Sequence, residues 1–297
     1  MSCVICGGEN LSQVRPAEID RLEQVSFSYS FSPEHSKTFR VVRCDDCSHV
    51  FCAPLPERVT ESYEEVVDDE YLKHAESRRL AALAVLDSIR KHVPAGSLLD
   101  VGCATGDFLA ASQAAGFDAQ GLELSSWSCA IARQRGLTVH QRPLSEFAQQ
   151  SPQRFDVISL IGVIEHFPDP RSELQNIAKL LRPGGIVAIW TGDSSSWLAN
   201  VLGRRWWYWQ GQHIQYFTHA SLARLARTTG FEHVATERYP FAATHGTLSN
   251  SLRRYPLHAV LSAAARLLFI RKPVIYLRLP GEMLFIARRT HVDAAGG

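Results

Sequence analysis

Four of the seven cysteines occur as two Cys-x-x-Cys pairs near the start of the chain. The first pair is Cys3 and Cys6, and the second is Cys44 and Cys47. Two such pairs can direct four thiolate sulfurs at one tetrahedral Zn²⁺, because each short turn presents two sulfurs on the same side. A closed four-sulfur site has no open position for a substrate. We therefore predict a structural zinc site; the alternative is four unligated thiols, with one redox-active pair.

A glycine-rich turn lies between a short apolar run and a predicted helix. The segment LLDVGCATGDFL places Gly102 and Gly106 in this turn, where glycine lets a ligand approach the main chain. The following helix would present unpaired N–H groups and the positive end of its dipole. Glu123 ends the next predicted strand. A carboxylate about 20 residues after such a turn commonly binds ribose hydroxyls, so the spacing indicates a nucleotide-type site.

Asp100 stands two residues before the first glycine of the turn. An aspartate would repel a bound pyrophosphate, whereas it would attract the cationic amino group of a methionine-like cofactor. The turn also departs from the Gly-x-Gly-x-x-Gly pattern that suits a pyrophosphate. We therefore predict a nucleoside cofactor without phosphates; the alternative is a tight strand-to-helix turn that binds no ligand.

The composition is that of an ordinary globular protein. The 297 residues are 45% hydrophobic and 21% charged, which is enough for a full core and a small accessory module. A formal net charge of +1 gives no reason to expect nucleic acid or an anionic membrane as a partner. The opening MSCVICGGEN resembles no secretory signal, and no apolar run approaches the roughly 20 residues of a membrane span. We expect a cytoplasmic protein with reduced thiols.

Predicted strands and helices alternate along most of the chain, which indicates an α/β fold with a parallel sheet covered by helices. We predict strands over 97–101, 119–124, 137–141, 155–161, 185–190, 232–239 and 282–288, and helices over 107–115, 126–135, 170–181 and 219–229. A further helical pattern runs from Leu80 to Ile89 and ends before Pro94.

Four segments, in this order, resemble the motifs of class I S-adenosylmethionine-dependent methyltransferases. They are LLDVGCATGDFL at the glycine turn, GLELS after the second strand, FDVISLIGVIEHFPDP at the fourth and LLRPGGIVAIW at the fifth. The resemblance implies a doubly wound, Rossmann-like sheet of seven mostly parallel strands over residues 95–290, with the last strand antiparallel. It also implies S-adenosyl-L-methionine as the cofactor.

The same resemblance assigns cofactor-binding roles to individual residues. It places Asp100, Gly102, Cys103 and Gly106 around the methionine portion of the cofactor, and Glu123 on the ribose hydroxyls. It places Leu144 and Ile161 along the adenine. Arg78 is a candidate partner for the cofactor carboxylate; a solvated helix arginine is the alternative.

The N-terminal part resembles a zinc-ribbon-like module that precedes the catalytic domain in bacterial methyltransferases of sugars and other small metabolites. The matching stretches are CVICGG, VVRCDDCSHVFCAPLPE and the tyrosine-bearing segment from Tyr63 to Tyr71. We therefore divide the chain into the module at 1–56, a helical linker or lid at 57–94, the methyltransferase domain at 95–290 with a helical insert at 240–280, and a tail at 291–297.

The catalytic candidates are His166, His213 and Tyr71. Methyl transfer needs a base only where the acceptor carries a proton, and histidine suits this role because its ordinary pKa is near 6.5. In related enzymes a histidine in an H-x-x-x-F-T stretch faces the substrate, and here that stretch begins at His213. The resembling group includes deoxysugar C-methyltransferases, which carry Glu-His at this position, where this chain has Gln212 and His213. Tyr71 is a candidate lid residue. Packing roles are the alternative for all three.

Two further segments have open interpretations. The aromatic cluster Trp206-Trp207-Tyr208-Trp209 can wall a substrate pocket or pack the cysteine module against the catalytic domain. The apolar insert can cover the site, contact a lipid-linked substrate or form the face of a homodimer.

The preferred function is methyl transfer to an oxygen or carbon of a small-molecule acceptor, with sugars and secondary metabolites as the expected class. The alternatives are an RNA methyltransferase with a zinc-binding recognition module and a non-catalytic binding protein. No nucleic-acid partner is expected, because the chain is nearly neutral and lacks the Asn/Asp-Pro-Pro-aromatic motif used on exocyclic amines.

Overall fold

The structure is a computed structural model that describes residues 1–30, 36–151, 154–253, 255, 258–269 and 274–290. Its strands are β1 (Leu11–Arg15), β2 (Val41–Cys44), β3 (Val50–Cys52), β4 (Ser97–Val101), β5 (Asp118–Glu123), β6 (Val139–Gln141), β7 (Phe155–Ile161), β8 (Leu181–Gly192), β9 (Gln215–Tyr216), β10 (Phe231–Arg238), β11 (Phe241–Ala243), β12 (Ile275–Leu277) and β13 (Glu282–Arg289). Its α-helices are α1 (Asp69–Leu72), α2 (Ala75–Arg90), α3 (Asp107–Ala114), α4 (Ser126–Gln134), α5 (Leu144–Gln150), α6 (Pro170–Leu180), α7 (Trp197–Leu202), α8 (His219–Thr228), α9 (His245–Leu252) and α10 (His258–Leu268).

The central sheet has seven strands in the order β10-β13-β8-β7-β4-β5-β6. The pairs from β8 to β6 are parallel, and β13 lies antiparallel between β8 and β10. This arrangement confirms the predicted doubly wound sheet with an antiparallel last strand. All seven predicted strands are present, although β8 begins at Leu181 instead of 185, and each of the four predicted helices ends one residue earlier than predicted.

Apolar residues fill both faces of the sheet, as expected for parallel strands covered by helices on each side. Along β4, Leu98 packs into the cluster that includes α2, α3 and α4, whereas Leu99 packs into the cluster that includes α5, α6 and α8. Because successive strand residues point to opposite faces, this alternation fixes the register of the sheet against its helices. Strand β4 has β5 on one side and β7 on the other, so a crevice opens at its carboxyl end.

The cysteine module is joined to the rest of the chain through a second sheet. Its strands have the order β1-β2-β3-β9, and β9 comes from the segment after β8. Val50 pairs with Tyr216 and Phe51 with Gln215. Trp206 is buried in the same apolar cluster as Val50, which supports the packing role for this tryptophan. The division of the chain at residue 56 remains a prediction.

The predicted insert contains α9 and α10, bracketed by the antiparallel pair β11 and β12. The predicted tail, 291–297, lies outside the described residues. Within the part of the chain that the structure describes, no helix combines the length and the apolar character needed to cross a bilayer.

Candidate active site and metal centre

The turn after β4 has a backbone that requires glycine at two positions. Gly102 has φ +69° and Gly106 has φ +84°. A Cβ on Gly102 would lie 2.6 Å from Val163 Cγ2, and a Cβ on Gly106 would lie 2.3 Å from Leu137 Cδ1. Gly102 lines the cavity described below, whereas Gly106 caps α3 and faces Leu137. Gly106 therefore shapes the turn from behind the cavity.

A cavity of about 630 Å³ opens at the carboxyl ends of β4, β5 and β7. This volume lies within the range of small-molecule sites. The cavity brings together most of the candidate residues from the sequence: Tyr71, Arg78, Asp100, Gly102, Cys103, Glu123, Leu144, Ile161, His166 and His213.

The Glu123 carboxylate is held by the backbone at the end of β5. Glu123 is only 5% exposed, and it accepts hydrogen bonds from the backbone N–H groups of Ala104 (2.8 Å), Leu124 (2.7 Å) and Ser125 (2.9 Å). Burial raises the pKa of Glu123 above its ordinary value, although these N–H groups favour the ionised form. The contacts fix the carboxylate at the predicted position beside the glycine turn.

Asp100 lies buried at the base of the cavity. Its Oδ1 accepts a hydrogen bond of 2.7 Å from the Ser159 hydroxyl. Burial raises the pKa of Asp100 to about 7, while the Ser159 hydrogen bond opposes the rise and the nearby Glu123 adds to it. A cation in the cavity would favour the ionised form of this group.

Arg78 places a guanidinium at the edge of the cavity, near the start of α3. Its Nε donates to Asp107 Oδ2 at 2.7 Å, and its Nη1 donates to the Tyr71 carbonyl at 2.6 Å. The guanidinium carbon lies 3.4 Å from the centre of the Tyr71 ring. Burial raises the pKa of Tyr71, so its phenol stays protonated. Tyr71 thus helps to position Arg78, which is not the solvated helix arginine of the alternative interpretation.

His166 also lines the cavity, from the 3-10 turn Ile164–His166 that follows β7. Its Nδ1 lies 2.8 Å from the Gln212 carbonyl oxygen and 2.7 Å from the Tyr63 hydroxyl. Burial lowers the pKa of His166 to about 4, against the opposing hydrogen bonds to the backbone of Gln212 and Gly162. The imidazole is therefore neutral near pH 7.

His213 is buried beside His166, with the two ring centres 5.0 Å apart. Its Nδ1 lies 2.8 Å from the Tyr208 carbonyl oxygen. Because a carbonyl only accepts, Nδ1 carries the proton, and in the neutral ring the accepting lone pair is then on Nε2. This tautomer suits a general base.

Glu165 is a buried carboxylate that the sequence analysis did not single out. It accepts hydrogen bonds from the Tyr208 hydroxyl and, at 3.1 Å, from the Thr191 hydroxyl. Burial raises the pKa of Glu165 to about 7, and these hydrogen bonds oppose the rise. Side-chain ligand atoms of Glu165, His166 and His213 all lie within 4.8 Å of one another. The carboxylate near His213 thus comes from Glu165 and not from the residue that precedes His213 in the chain.

The tryptophan cluster divides between an apolar cluster of the core and the lining of the cavity. Trp206 packs in the cysteine module, as described above, whereas Trp207 lines the cavity. The indole N–H groups of Trp207 and Trp190 donate to the two carboxylate oxygens of Glu282, at 2.6 Å and 3.0 Å. Trp190 also stacks on Tyr239 with ring centres 4.1 Å apart. These contacts build an aromatic wall at the end of the cavity nearest to the insert.

The four paired cysteines converge on one point in the N-terminal module. The Sγ atoms of Cys3 and Cys47 are 3.6 Å apart, those of Cys6 and Cys44 are 3.5 Å apart, and all four lie within 4.8 Å of one another. A tetrahedral zinc site with bonds near 2.3 Å has sulfurs about 3.8 Å apart. The backbone N–H groups of Ile5 and Gly8 also donate to Cys3 and Cys6, both at 3.4 Å. The donor set therefore fits Zn²⁺.

Tyr63 and Tyr29 are among the cavity residues that the sequence analysis did not predict as site residues. Tyr63 was noted only as the start of a tyrosine-bearing segment, and Tyr29 carried no signal. Their side chains reach His166 and Glu123 respectively, from segments that precede the glycine turn.

Comparison with known proteins gives a consistent family match. A family model described as a methyltransferase domain matches residues 70–236, which is more than half of the chain. The ubiquinone biosynthesis O-methyltransferase of Aromatoleum aromaticum is 32% identical over 148 residues, covering 46% of this chain and 63% of the relative. The corresponding protein of Thiobacillus denitrificans is 32% identical over 148 residues, covering 46% and 64%. The match thus spans less than two thirds of these relatives.

The fold is shared with solved methyltransferase structures. A SAM-dependent methyltransferase from Archaeoglobus fulgidus superimposes with a TM-score of 0.53 at 16% identity, covering 75% of this chain and 100% of that one. At such low identity, the likeness is one of fold alone.

Proposed function

Because the chain belongs to the methyltransferase domain family, we propose that it transfers a methyl group from S-adenosyl-L-methionine to an oxygen of a small-molecule acceptor. The observation that carries this proposal is the single cavity that Asp100, Glu123, His166 and His213 line together. A proposed cofactor site and a candidate base thereby share one cavity. Transfer to carbon remains the alternative within the same site.

The charges around the glycine turn fit the cofactor. Glu123 offers carboxylate oxygens to neighbouring hydroxyls, Asp100 offers a negative charge to an ammonium group, and Arg78 offers a positive charge to a carboxylate. Gly102 and Cys103 contribute main-chain atoms to the same wall, and Leu144 and Ile161 add apolar surface for a planar base. When bound, S-adenosylmethionine supplies the activated methyl group.

His213 is the preferred base for an acceptor hydroxyl. The hydrogen bond from Nδ1 to the Tyr208 carbonyl fixes the ring orientation and assigns proton acceptance to Nε2. The nearby Glu165 carboxylate would stabilise the imidazolium that forms. His166 and Tyr71 remain positioning candidates, because His166 is held by Gln212 and Tyr63 and Tyr71 packs on Arg78.

The part of the cavity that we assign to the acceptor suits a molecule with a flat or apolar surface. Trp207 and Phe241 line the end of the cavity away from the glycine turn, together with Leu252 from α9. Aromatic faces of this kind stack on planar rings and on the apolar faces of sugars. The curated relatives are named O-methyltransferases, which supports oxygen as the acceptor atom. A sugar or a secondary metabolite remains the proposed class.

We assign structural Zn²⁺ to the four cysteines Cys3, Cys6, Cys44 and Cys47. The sulfur separations and the N–H donors to Cys3 and Cys6 support this assignment. The four sulfurs complete a tetrahedral set, so the ion would have a folding role.

The function is tested by incubating the protein with methyl-labelled S-adenosylmethionine and a panel of phenols, sugars and hydroxylated metabolites. We expect one class of acceptor to gain the mass of one labelled methyl group, in a reaction that Glu123→Ala abolishes. If the protein binds the cofactor but labels no acceptor in a broad metabolite extract, the non-catalytic alternative gains support.

A further inference from the structure

The loop between the two cysteine pairs carries Tyr29 into the cofactor side of the cavity. The Tyr29 hydroxyl donates a hydrogen bond of 3.2 Å to Glu123 Oε1 and accepts one of 3.2 Å from the Ser128 hydroxyl. Its ring packs on Tyr71 with ring centres 5.0 Å apart. Burial raises the pKa of Tyr29, so the phenol keeps the proton that it donates.

The described residues already supply the Glu123 carboxylate with four hydrogen-bond donors. Oε1 receives the backbone N–H groups of Leu124 and Ser125 as well as the Tyr29 hydroxyl, and Oε2 receives the backbone N–H of Ala104. A carboxylate has about four acceptor positions. Oε1 thus already has more donors than its two acceptor positions, so a cofactor hydroxyl that binds Oε1 must replace one of them.

The four donors differ in what their withdrawal would cost. The N–H of Ala104 belongs to the glycine turn, and those of Leu124 and Ser125 belong to the turn between β5 and α4. Moving any of these would distort the backbone that shapes the site. The Tyr29 hydroxyl is at the end of a side chain, which can rotate without such a distortion.

We propose that Tyr29 holds the place of a cofactor hydroxyl on Glu123 and is displaced when the cofactor binds. The proposal rests on the proposed function, since it assumes that the nucleoside part of the cofactor binds at Glu123. It makes the loop of the cysteine module a determinant of cofactor affinity, because each binding event must first break the Tyr29 hydrogen bond.

The test is a calorimetric titration of S-adenosylhomocysteine into the wild-type protein and into Tyr29→Phe. The variant keeps the ring that packs on Tyr71 and loses only the competing hydroxyl. Because the net contribution of a typical intramolecular hydrogen bond is modest, its removal should tighten binding by about three- to tenfold. Tyr276→Phe, which loses a hydroxyl from a half-exposed tyrosine of β12, is the matched control and should bind as the wild type does.

Tighter binding of S-adenosylhomocysteine by Tyr29→Phe would distinguish displacement of Tyr29 from a role in packing alone. If Tyr29 served only in packing, its replacement would weaken binding or leave it unchanged. Wild-type binding with equal or weaker binding by Tyr29→Phe would overturn this inference while leaving the proposed function intact. Absence of binding by the wild-type protein would overturn the proposed function, and the inference with it.

Discussion

His49 Nε2 lies 2.9 Å from the side-chain oxygen of Gln215, and both side chains are buried. His49 is two residues beyond Cys47, and Gln215 is two residues beyond His213. The Gln215 amide nitrogen donates in turn to the Phe167 carbonyl at 3.1 Å, next to His166. The cysteine module is therefore hydrogen-bonded to the segments that carry His166 and His213.

Replacing His49 by alanine should destabilise the whole protein and not the module alone. The change leaves the Gln215 amide oxygen without its donor and opens a cavity at a fully buried position, at a cost of about 2–4 kcal/mol in the free energy of unfolding. Denaturant unfolding followed by circular dichroism and by tryptophan fluorescence measures this cost. The two signals should change together. Exposed His258, replaced by alanine, should leave the free energy of unfolding nearly unchanged. Two separate transitions would show that the module unfolds independently.

Cys44→Ser should abolish zinc binding. Purified wild-type protein should contain one zinc ion per chain by elemental analysis, and the variant should contain well under half of that amount. Because four thiolates stabilise the folded module through the metal, the variant should also melt at a lower temperature. Cys129→Ser is the matched control, since Cys129 lies in α4 outside the four-cysteine cluster. Metal-free wild-type protein with unchanged melting would argue for four unligated thiols.

Cofactor affinity should increase with pH between pH 6 and pH 8. Burial raises the pKa of Asp100 to about 7, so most of these side chains are neutral at pH 6 and ionised at pH 8. If the ionised form binds the ammonium group, affinity for S-adenosylhomocysteine should be roughly tenfold higher at pH 8. Asp100→Asn should bind weakly and lose this part of the pH dependence. Equal pH profiles for variant and wild type would contradict the role of Asp100.

The raised pKa of Asp100 should also make the stability of the cofactor-free protein depend on pH. Stability should fall as the pH rises, whereas cofactor affinity should increase. A carboxyl whose pKa is raised by folding, from 3.8 to about 7 in Asp100, favours the folded state while protonated. This contribution is present at low pH and is lost as the pH rises through that interval. Wild-type stability should therefore fall relative to Asp100→Asn between pH 4 and pH 7, as measured by denaturant unfolding at each pH.

His213→Gln should lower kcat by about 10²- to 10⁴-fold if His213 is the base for an acceptor hydroxyl. Cofactor affinity should stay within about twofold of wild type, because the ring lies on the acceptor side of the cavity. Glu165→Gln should also reduce kcat, since it removes the negative charge near the imidazole. Full activity of His213→Gln on the identified acceptor would show that His213 is not the base. His166 would then be the next candidate.

Local sequence patterns were sufficient to predict the central sheet and to bring Asp100, Gly102 and Glu123 to one crevice. Apolar β-branched runs such as 155–161 read as buried strands, and the spacing from Gly102 to Glu123 indicated the carboxylate beside the turn. The first of these signals lies in consecutive residues, and the second lies within one βαβ unit. The structure accordingly places Asp100, Gly102 and Glu123 around the same crevice.

Other relationships depend on pairing between distant segments. Strand β9 has only two residues, Gln215–Tyr216, and becomes a strand because it completes the sheet of the cysteine module. Tyr29 and Glu123 are 94 positions apart in the chain, and nothing in the residues around Tyr29 signals a contact with a carboxylate. Glu165 had an available signal, since it precedes His166 directly, but its burial depends on Tyr208 and Thr191.

Glu123 is a better position than Gly102 for testing the proposed cofactor site by substitution. Gly102→Val would force a β-branched side chain onto a backbone with φ +69° and against Val163, so it would perturb folding as well as binding. Glu123→Ala removes the proposed hydroxyl ligand without backbone strain. Glu232→Ala, at an exposed position of β10, is a suitable control for loss of a carboxylate.

Calorimetric titration of S-adenosylhomocysteine determines whether the cavity lined by Glu123 and His213 binds S-adenosylmethionine. We expect one binding site per wild-type chain, unchanged binding by Glu232→Ala, and at least tenfold weaker binding by folded Glu123→Ala. Absence of binding by the wild-type protein, or wild-type affinity in Glu123→Ala, would contradict it.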